Sequence, residues 1–355
     1  MQINLPLSRL FLALACLALA NLTALAEGSF PKLESLIAKA GANLKIPGGS
    51  VRVVEDREIV FDRYFGTFSE NSETRWDEET VVAIASISKS VTATLVAVLV
   101  GEGSLSFDDP IAEYLPEYAA LKRQNSDQSV RSPTIAECLS HTSGFPGGTM
   151  SKLPKKSPVK HGDQAEVARH IATQGLATHP GTQYAYTFRG YAAVSRVLEV
   201  VTGQPIDEVM KEKLLSPLGM NETTFTPGVA LARRLPLFAS RAEGRSDDEV
   251  AAQIERYRAQ RGSFINVAGA LISTPEDLQR FLQFHADQGR VGNRKIVPSS
   301  VLAKLYQRQP ASMNYGLGFN LRPGGIVGHG GATGTAVRVD LKTGRILIVF
   351  TQAGG

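Results

Sequence analysis

The chain is poor in the residues that usually announce a chemistry. It has two cysteines in 355 residues, Cys16 and Cys138, so a disulfide-stapled scaffold is excluded. Six histidines lie scattered with no H-x-x-x-H or similar ligand spacing, which leaves metal-assisted hydrolysis without its usual pattern. Neither a metal nor a cofactor is expected. Charge of one sign is lacking too: 38 basic against 34 acidic residues leave a net charge of +4. The only basic cluster, Lys152, Lys155, Lys156 and Lys160, sits among Pro, Ser and Gly and reads as a solvated loop. With no recognisable module and no aromatic–basic interleaving, nucleic acid is not an expected partner. Internal repeats and low-complexity segments are absent. What remains is an ordinary globular composition, 43% hydrophobic and 20% charged, long enough for one large domain or two packed regions.

Long apolar runs are few, and the first is at the N-terminus. Arg9 is the only charge before residue 27, Leu10 to Leu19 form an apolar core, and Ala24-Leu25-Ala26 has the A-x-A form of a cleavage site. Residues 1–26 are therefore expected to be a signal peptide. The mature protein would be exported, periplasmic or secreted, without stable membrane insertion after cleavage. Cys16 leaves with the signal, and Cys138, in an apolar helical context, reads as a small core residue.

The second apolar run, Val81 to Val100, carries a single charge, Lys89. A lysine near its middle, with Ser86, Ser88, Ser90, Thr92 and Thr94 around it, argues for a helix buried in a soluble core rather than in lipid. Burying an ammonium costs several kcal/mol unless it is paired or gives up its proton. Ser86 lies three residues before Lys89, on the same helical face. A serine at the first turn of a buried helix meets free N–H groups and the positive dipole end. A neutral lysine one turn on can take its hydroxyl proton.

Around this helix the chain reads as strands at both ends. Phe30–Lys45 has helical spacing in Leu33, Leu36, Ile37 and Leu44. Ser50–Val54 and Ile59–Tyr64 form a hairpin about Asp56-Arg57. Short helices divided by Pro and Gly follow Asp108: Thr134 and Glu137 spell a capping box, and helices are expected over Ala165–Gln174 and about Gly190–Val201. Ser246 with Glu249 starts another, and Thr274-Pro275-Glu276-Asp277 one more. Tyr315–Leu321, Ile326–His329, Thr335–Leu341 and Arg345–Thr351 read as strands, the last two joined by Lys342-Thr343-Gly344. The expected fold is α+β: one antiparallel sheet from both chain ends, flanked by helices, with a mostly helical region inserted. The sheet region would span about 27–107 and 263–355, the helical region about 108–262.

Ala83-Ile84-Ala85-Ser86-Ile87-Ser88-Lys89-Ser90 resembles the nucleophile motif of the serine β-lactamase-related superfamily, in the branch of class C β-lactamases, D-Ala-D-Ala carboxypeptidases and esterases. Leu139-Ser140-His141-Thr142-Ser143-Gly144, Pro180-Gly181-Thr182-Gln183-Tyr184, Pro217-Leu218-Gly219-Met220 and Gly269-Ala270-Leu271-Ile272-Ser273-Thr274 are similar to further landmarks in the same order. The resemblance implies a β-lactamase/transpeptidase-like fold. It also implies a serine hydrolase acting through an acyl-enzyme on an ester, amide or D-amino-acid peptide. Ser86 would be the nucleophile, with Lys89 and Tyr186 moving protons. Tyr186-Thr187-Phe188 stands where the family has Tyr-Ser/Ala-Asn, so Phe188 takes the place of a substrate-binding asparagine. His329-Gly330-Gly331 matches the third motif, on an edge strand facing Ser86. The imidazole would bind a substrate carboxylate or support Tyr186, Gly331 would let substrate backbone approach, and the N–H groups of Ser86 and Ala332 would form the oxyanion hole. Lys342-Thr343-Gly344 spells the β-lactamase third motif but occupies a hairpin turn and reads as a decoy. His141 is expected to shape the floor of the site. Family members usually carry a helix after the last strand, against the sheet. Here the N-terminal helix or a partner would have to cover that face, unless the chain is truncated. Phe188 and that missing helix favour the alternative, a catalytically impaired, cell-wall-associated binding protein. Phe188 also tilts the expected substrate towards esters or small amides. The sequence leaves oligomeric state open.

Overall fold

The computed structural model describes residues 30–44, 46–68, 73–150, 157, 162–236, 264–312 and 314–351. The expected signal peptide, the lysine cluster and the helix expected after Ser246 lie outside these. Helix α1, Pro31–Leu44, is followed by the hairpin β1, Gly48–Glu55, and β2, Glu58–Gly66. Asp56 and Arg57 turn it with φ of 49° and 70°, the left-handed pair that a two-residue hairpin needs to match strand twist. The short β3, Val82–Ala83, pairs with β4, Ile272–Ser273. Between them run α2, Ser88–Gly101, then α3, Ile135–Leu139, α4, Gln164–Thr173, and α5, Arg189–Thr202. Helix α6, Pro275–Ala286, precedes the last strands: β5, Asn320–Arg322, β6, Ile326–Gly331, β7, Thr335–Asp340, and β8, Ile346–Thr351.

The main sheet has the order β2-β1-β8-β7-β6-β5 and is antiparallel throughout. Strands from both chain ends thus meet at β1 against β8, where Val51 faces Val349. One face of the sheet packs Val337, Val339, Ile346, Ile348 and Phe350 into the main core, with α6 against β7 and β8. On the other face Val51, Val53, Ala336, Leu347 and Val349 cluster with Leu33 and Ile37 of α1. Among the described residues no helix is long and apolar enough to cross a membrane.

The stretch expected as one strand over Tyr315–Leu321 is a strand only from Asn320. Gly316 and Gly318 break it, because each presses on another chain segment. A Cβ on Gly316 would lie 2.2 Å from the Leu305 carbonyl oxygen, and one on Gly318 2.8 Å from that of Lys89. Gly318 also has φ +80°, open to glycine but not to side chains in general. The strand end pressed against α2 is therefore a loop made for close approach.

Helix α2 runs through the centre, with every residue from Ser88 to Leu99 buried. Its buried hydroxyls all reach carbonyl oxygens, as desolvated polar groups must. Ser88 donates to Ala85, Ser90 to Gly318, Thr92 to Val267 and Thr94 to Ser90. Ser90 and Thr92 thereby fasten the helix to the loops around it, while Ser88 and Thr94 close back on the adjoining turn and on the helix itself.

Candidate active site

Ser86 sits in a single 3-10 turn, Ala85–Ile87, that feeds α2. Ala85 just before it has φ +45°, a left-handed backbone that costs a non-glycine residue on the order of 1–3 kcal/mol and persists only where neighbours hold it. They do so here. Ile84 N–H donates to the Leu271 carbonyl at 3.0 Å, Thr335 Oγ1 to the Ile84 carbonyl at 3.2 Å, and Thr333 Oγ1 to the Ala83 carbonyl at 2.6 Å. Gly331 at the end of β6 closes the frame: a Cβ there would stand 2.6 Å from the Ile84 carbonyl oxygen.

Two side chains converge on Ser86 Oγ. Lys89 Nζ is 3.2 Å away and Tyr186 OH 2.9 Å. Lys89 also donates to the Ala268 carbonyl at 2.8 Å and lies 4.7 Å from the ring of Tyr186 and 5.7 Å from that of Tyr191. No carboxylate among the described residues pairs with it, and burial alone pulls its pKa from 10.5 down to about 7. That fall corresponds to about 5 kcal/mol in favour of the neutral amine. Burial acts the other way on Tyr186, pushing it up to about 12, so its phenol keeps its proton at neutral pH.

His329 is also brought near, but beneath the surface. It is 4% exposed, with Nδ1 2.7 Å from the Gly330 carbonyl and Nε2 2.9 Å from Tyr315 OH. A carbonyl can only accept, so Nδ1 carries the proton and Nε2 accepts from the tyrosine. Burial first, then the Lys89 charge, pulls its pKa to about 3. The ring is neutral with both nitrogens used, so a substrate carboxylate finds no donor on it until one of these bonds breaks. Its partner hydroxyl is Tyr315, not the expected Tyr186. The expected edge position holds for part of the strand only: β5 pairs with Ile326–Gly328, leaving the outer edge of His329–Gly331 without a strand partner among the described residues. Ala332 follows, exposed, in the turn to β7.

Phe188 is buried rather than presented to solvent. Its ring is 4% exposed, belongs to the main core and lies 5.1 Å from the Arg189 guanidinium. An apolar ring at the start of α5 partitions inward, and it has no amide to offer a substrate. Lys342-Thr343-Gly344 is the β7–β8 turn, as expected, with Gly344 at φ +74°. Sequence reasoning missed Ala268, because a carbonyl acceptor has no side-chain signature. It also missed Tyr191 and Tyr315, which look like ordinary core aromatics.

The Beta-lactamase family model matches residues 33–355. Penicillin-binding protein 4 of Amycolatopsis lactamdurans is 28% identical over 329 residues, covering 87% of this chain and 81% of that protein. The D-alanyl-D-alanine-carboxypeptidase/endopeptidase AmpH of Escherichia coli K12 is 27% identical over 240 residues, covering 66% of this chain and 56% of its own length. Among solved structures, EstCE1, a hydrolase with promiscuous acyltransferase activity, superposes with a TM-score of 0.71 at 16% identity, covering 98% of this chain and 94% of that one. The α+β fold expected from the sequence is thus that of the β-lactamase/transpeptidase type. With a match over nearly its whole length, the chain belongs to the Beta-lactamase family and is a serine hydrolase.

Proposed function

We propose that the protein hydrolyses neutral esters or small amides through an acyl-enzyme on Ser86, after export from the cytoplasm. One observation carries this reading: Ser86 Oγ lies within 3.2 Å of a lysine whose burial brings its pKa to about 7. Half of such lysines are neutral at pH 7, so Lys89 is the base, while Tyr186, held near 12, is the proton carrier. The Ser86 proton passes to Lys89 as Oγ bonds to the substrate carbonyl carbon. The N–H groups of Ser86 and Ala332 take the oxyanion. The proton then moves through the Tyr186 hydroxyl to the leaving oxygen or nitrogen, whose bond to carbon breaks. Water repeats the sequence and releases the acid.

The preference for neutral substrates is supported by two features. His329 offers no free donor for a carboxylate, and Phe188 supplies no amide for a peptide bond. The open edge at His329–Gly331 lets substrate lie alongside Gly331, and Ala332 is exposed at its end. The test is intact-mass analysis of wild type and Ser86→Ala after a fluorophosphonate and a penicillin, followed by rates on p-nitrophenyl esters and on D-Ala-D-Ala peptides. The expected result is one adduct on wild type, none on Ser86→Ala, and esters turned over faster than peptides. No adduct on wild type, with retained binding to cell-wall peptide, would replace this reading by that of a binding protein. The signal-peptide pattern supports export, and N-terminal sequencing of the secreted protein checks cleavage after Ala26.

A further inference from the structure

Tyr186 stands on a loop, neither in a helix nor in a named strand, yet its hydroxyl keeps a 2.9 Å bond to Ser86 Oγ. Something must hold that loop, and His141 touches it at three points. The His141 carbonyl accepts from the N–H of Ala185 at 2.8 Å. Its ring Nδ1 accepts from the N–H of Thr187 at 3.2 Å. The ring itself lies 4.3 Å from that of Tyr186, tilted by 43°. The two bonded N–H groups belong to the residues on either side of the tyrosine.

The histidine is set in place unusually firmly. It is 1% exposed, its φ is +63°, and its ring also packs on Tyr184, Tyr191 and Tyr315. A backbone N–H can only donate, so Nδ1 is unprotonated and the proton sits on Nε2. Among the described residues that Nε2 is buried with no hydrogen-bond partner, a cost of about 1–3 kcal/mol that a residue serving only as filler would not carry. An alanine, or any apolar side chain of similar volume, would avoid it.

We propose that His141 is a positioning residue for Tyr186, its carbonyl and Nδ1 clamping the backbone N–H groups of the two neighbours, Ala185 and Thr187, so that the phenol hydroxyl stays on Ser86 Oγ. This rests on the acyl-enzyme reading. Burial first, then the neighbouring Lys89, hold the His141 pKa well below its ordinary value, so the Nδ1 lone pair stays available at working pH.

The test is a double-mutant cycle on hydrolysis of p-nitrophenyl butyrate, with folding checked by circular dichroism. His141→Ala should lower kcat about 10–100-fold with KM changed less than about twofold, the pattern of a lost transition-state contribution. His141→Asn keeps an acceptor at the δ position and tolerates positive φ, and should recover kcat to within about fivefold of wild type. On a Tyr186→Phe background, His141→Ala should change kcat less than about twofold, because the group it positions is gone. An equal loss on both backgrounds, or a loss carried by KM, overturns the proposal. If His141→Ala does not fold, the Asn and Gln variants decide: Asn faster by about fivefold or more upholds the clamp, and equal rates overturn it. Failure of wild type to label at Ser86 removes the acyl-enzyme reading and the clamp with it. A labelled wild type with His141→Ala reacting at the same rate removes the clamp alone.

Discussion

Lys89 and His329 make an instructive pair. Each is 4% exposed, each comes from a motif of the family, and in each burial is the first cause of a lowered pKa. Yet they end in opposite conditions. The lysine starts at 10.5 and arrives at about 7, so it exchanges protons at working pH. The histidine starts at 6.5 and arrives at about 3, which takes it out of proton chemistry. Their partners differ to match. Lys89 faces a serine hydroxyl that can react, whereas His329 is closed between a carbonyl and a tyrosine. The same desolvation leaves one residue able to exchange a proton at working pH and the other a neutral structural strut.

Exchanging the lysine for an apolar side chain of like length gives the strongest test of that contrast. Lys89→Met should cut the rate of fluorophosphonate labelling by about 10³-fold or more. The same variant should gain about 1–4 kcal/mol of stability by removing an unpaired buried cation. A variant that is slower and also less stable would mean that Lys89 holds the fold rather than activates Ser86.

In wild type, acylation should climb close to tenfold per pH unit below 7 and level off above it, as the neutral amine accumulates. Stopped-flow acylation between pH 5 and 9 reads this directly, and a flat profile contradicts the lysine-as-base assignment.

His329→Asn should do the reverse of Lys89→Met. Tyr315 loses its acceptor, so denaturant unfolding should show a loss of about 1–3 kcal/mol, while kcat stays within about tenfold of wild type. A loss of activity with unchanged stability would move His329 into direct contact with substrate.

The remaining effect is on acid stability. His285 and His329 have folded values near 3 and His141 lies well below its ordinary value, against 6.5 unfolded. The folded state therefore binds fewer protons than the unfolded one. Stability is fully present above pH 6.5 and declines as pH falls towards 3, by up to about 1.4 kcal/mol per unit for each histidine. Lys89 makes the same kind of contribution in a higher window, between 10.5 and about 7. Unfolding curves on wild type and Lys89→Met should separate the two windows; a coincident pH dependence would erase the distinction.

Much of the framework was legible in the residues. The Thr134–Glu137 capping box forms with both of its bonds, the Asp56-Arg57 turn is where the alternation of strands stops, and helical spacing alone brings Ser86 to Lys89. These are local rules acting on neighbours in sequence. What escaped depends on distant chain. The acceptor that shares Lys89 is the carbonyl of Ala268, 179 residues away. The burial of His329 follows from Tyr315 lying against it, and the loss of a strand before Asn320 follows from glycines fitted to Leu305 and Lys89. Phe188 could be read as a departure from a motif, but not that its ring turns into the core.

The threonine bonds that seat the nucleophile have a consequence for the order in which the protein is completed. Thr333 and Thr335 reach back 250 and 251 residues to the carbonyls before Ser86. Contacts of such separation form late, since a loop of that length must be closed before they contribute anything. A nascent chain leaving the ribosome carries Ser86 and Lys89 early, but the left-handed turn between them and β3 lacks the Gly331, Thr333 and Thr335 side of its frame until β6 and β7 have been made. The turn that seats Ser86 is thus completed from the far end of the sheet.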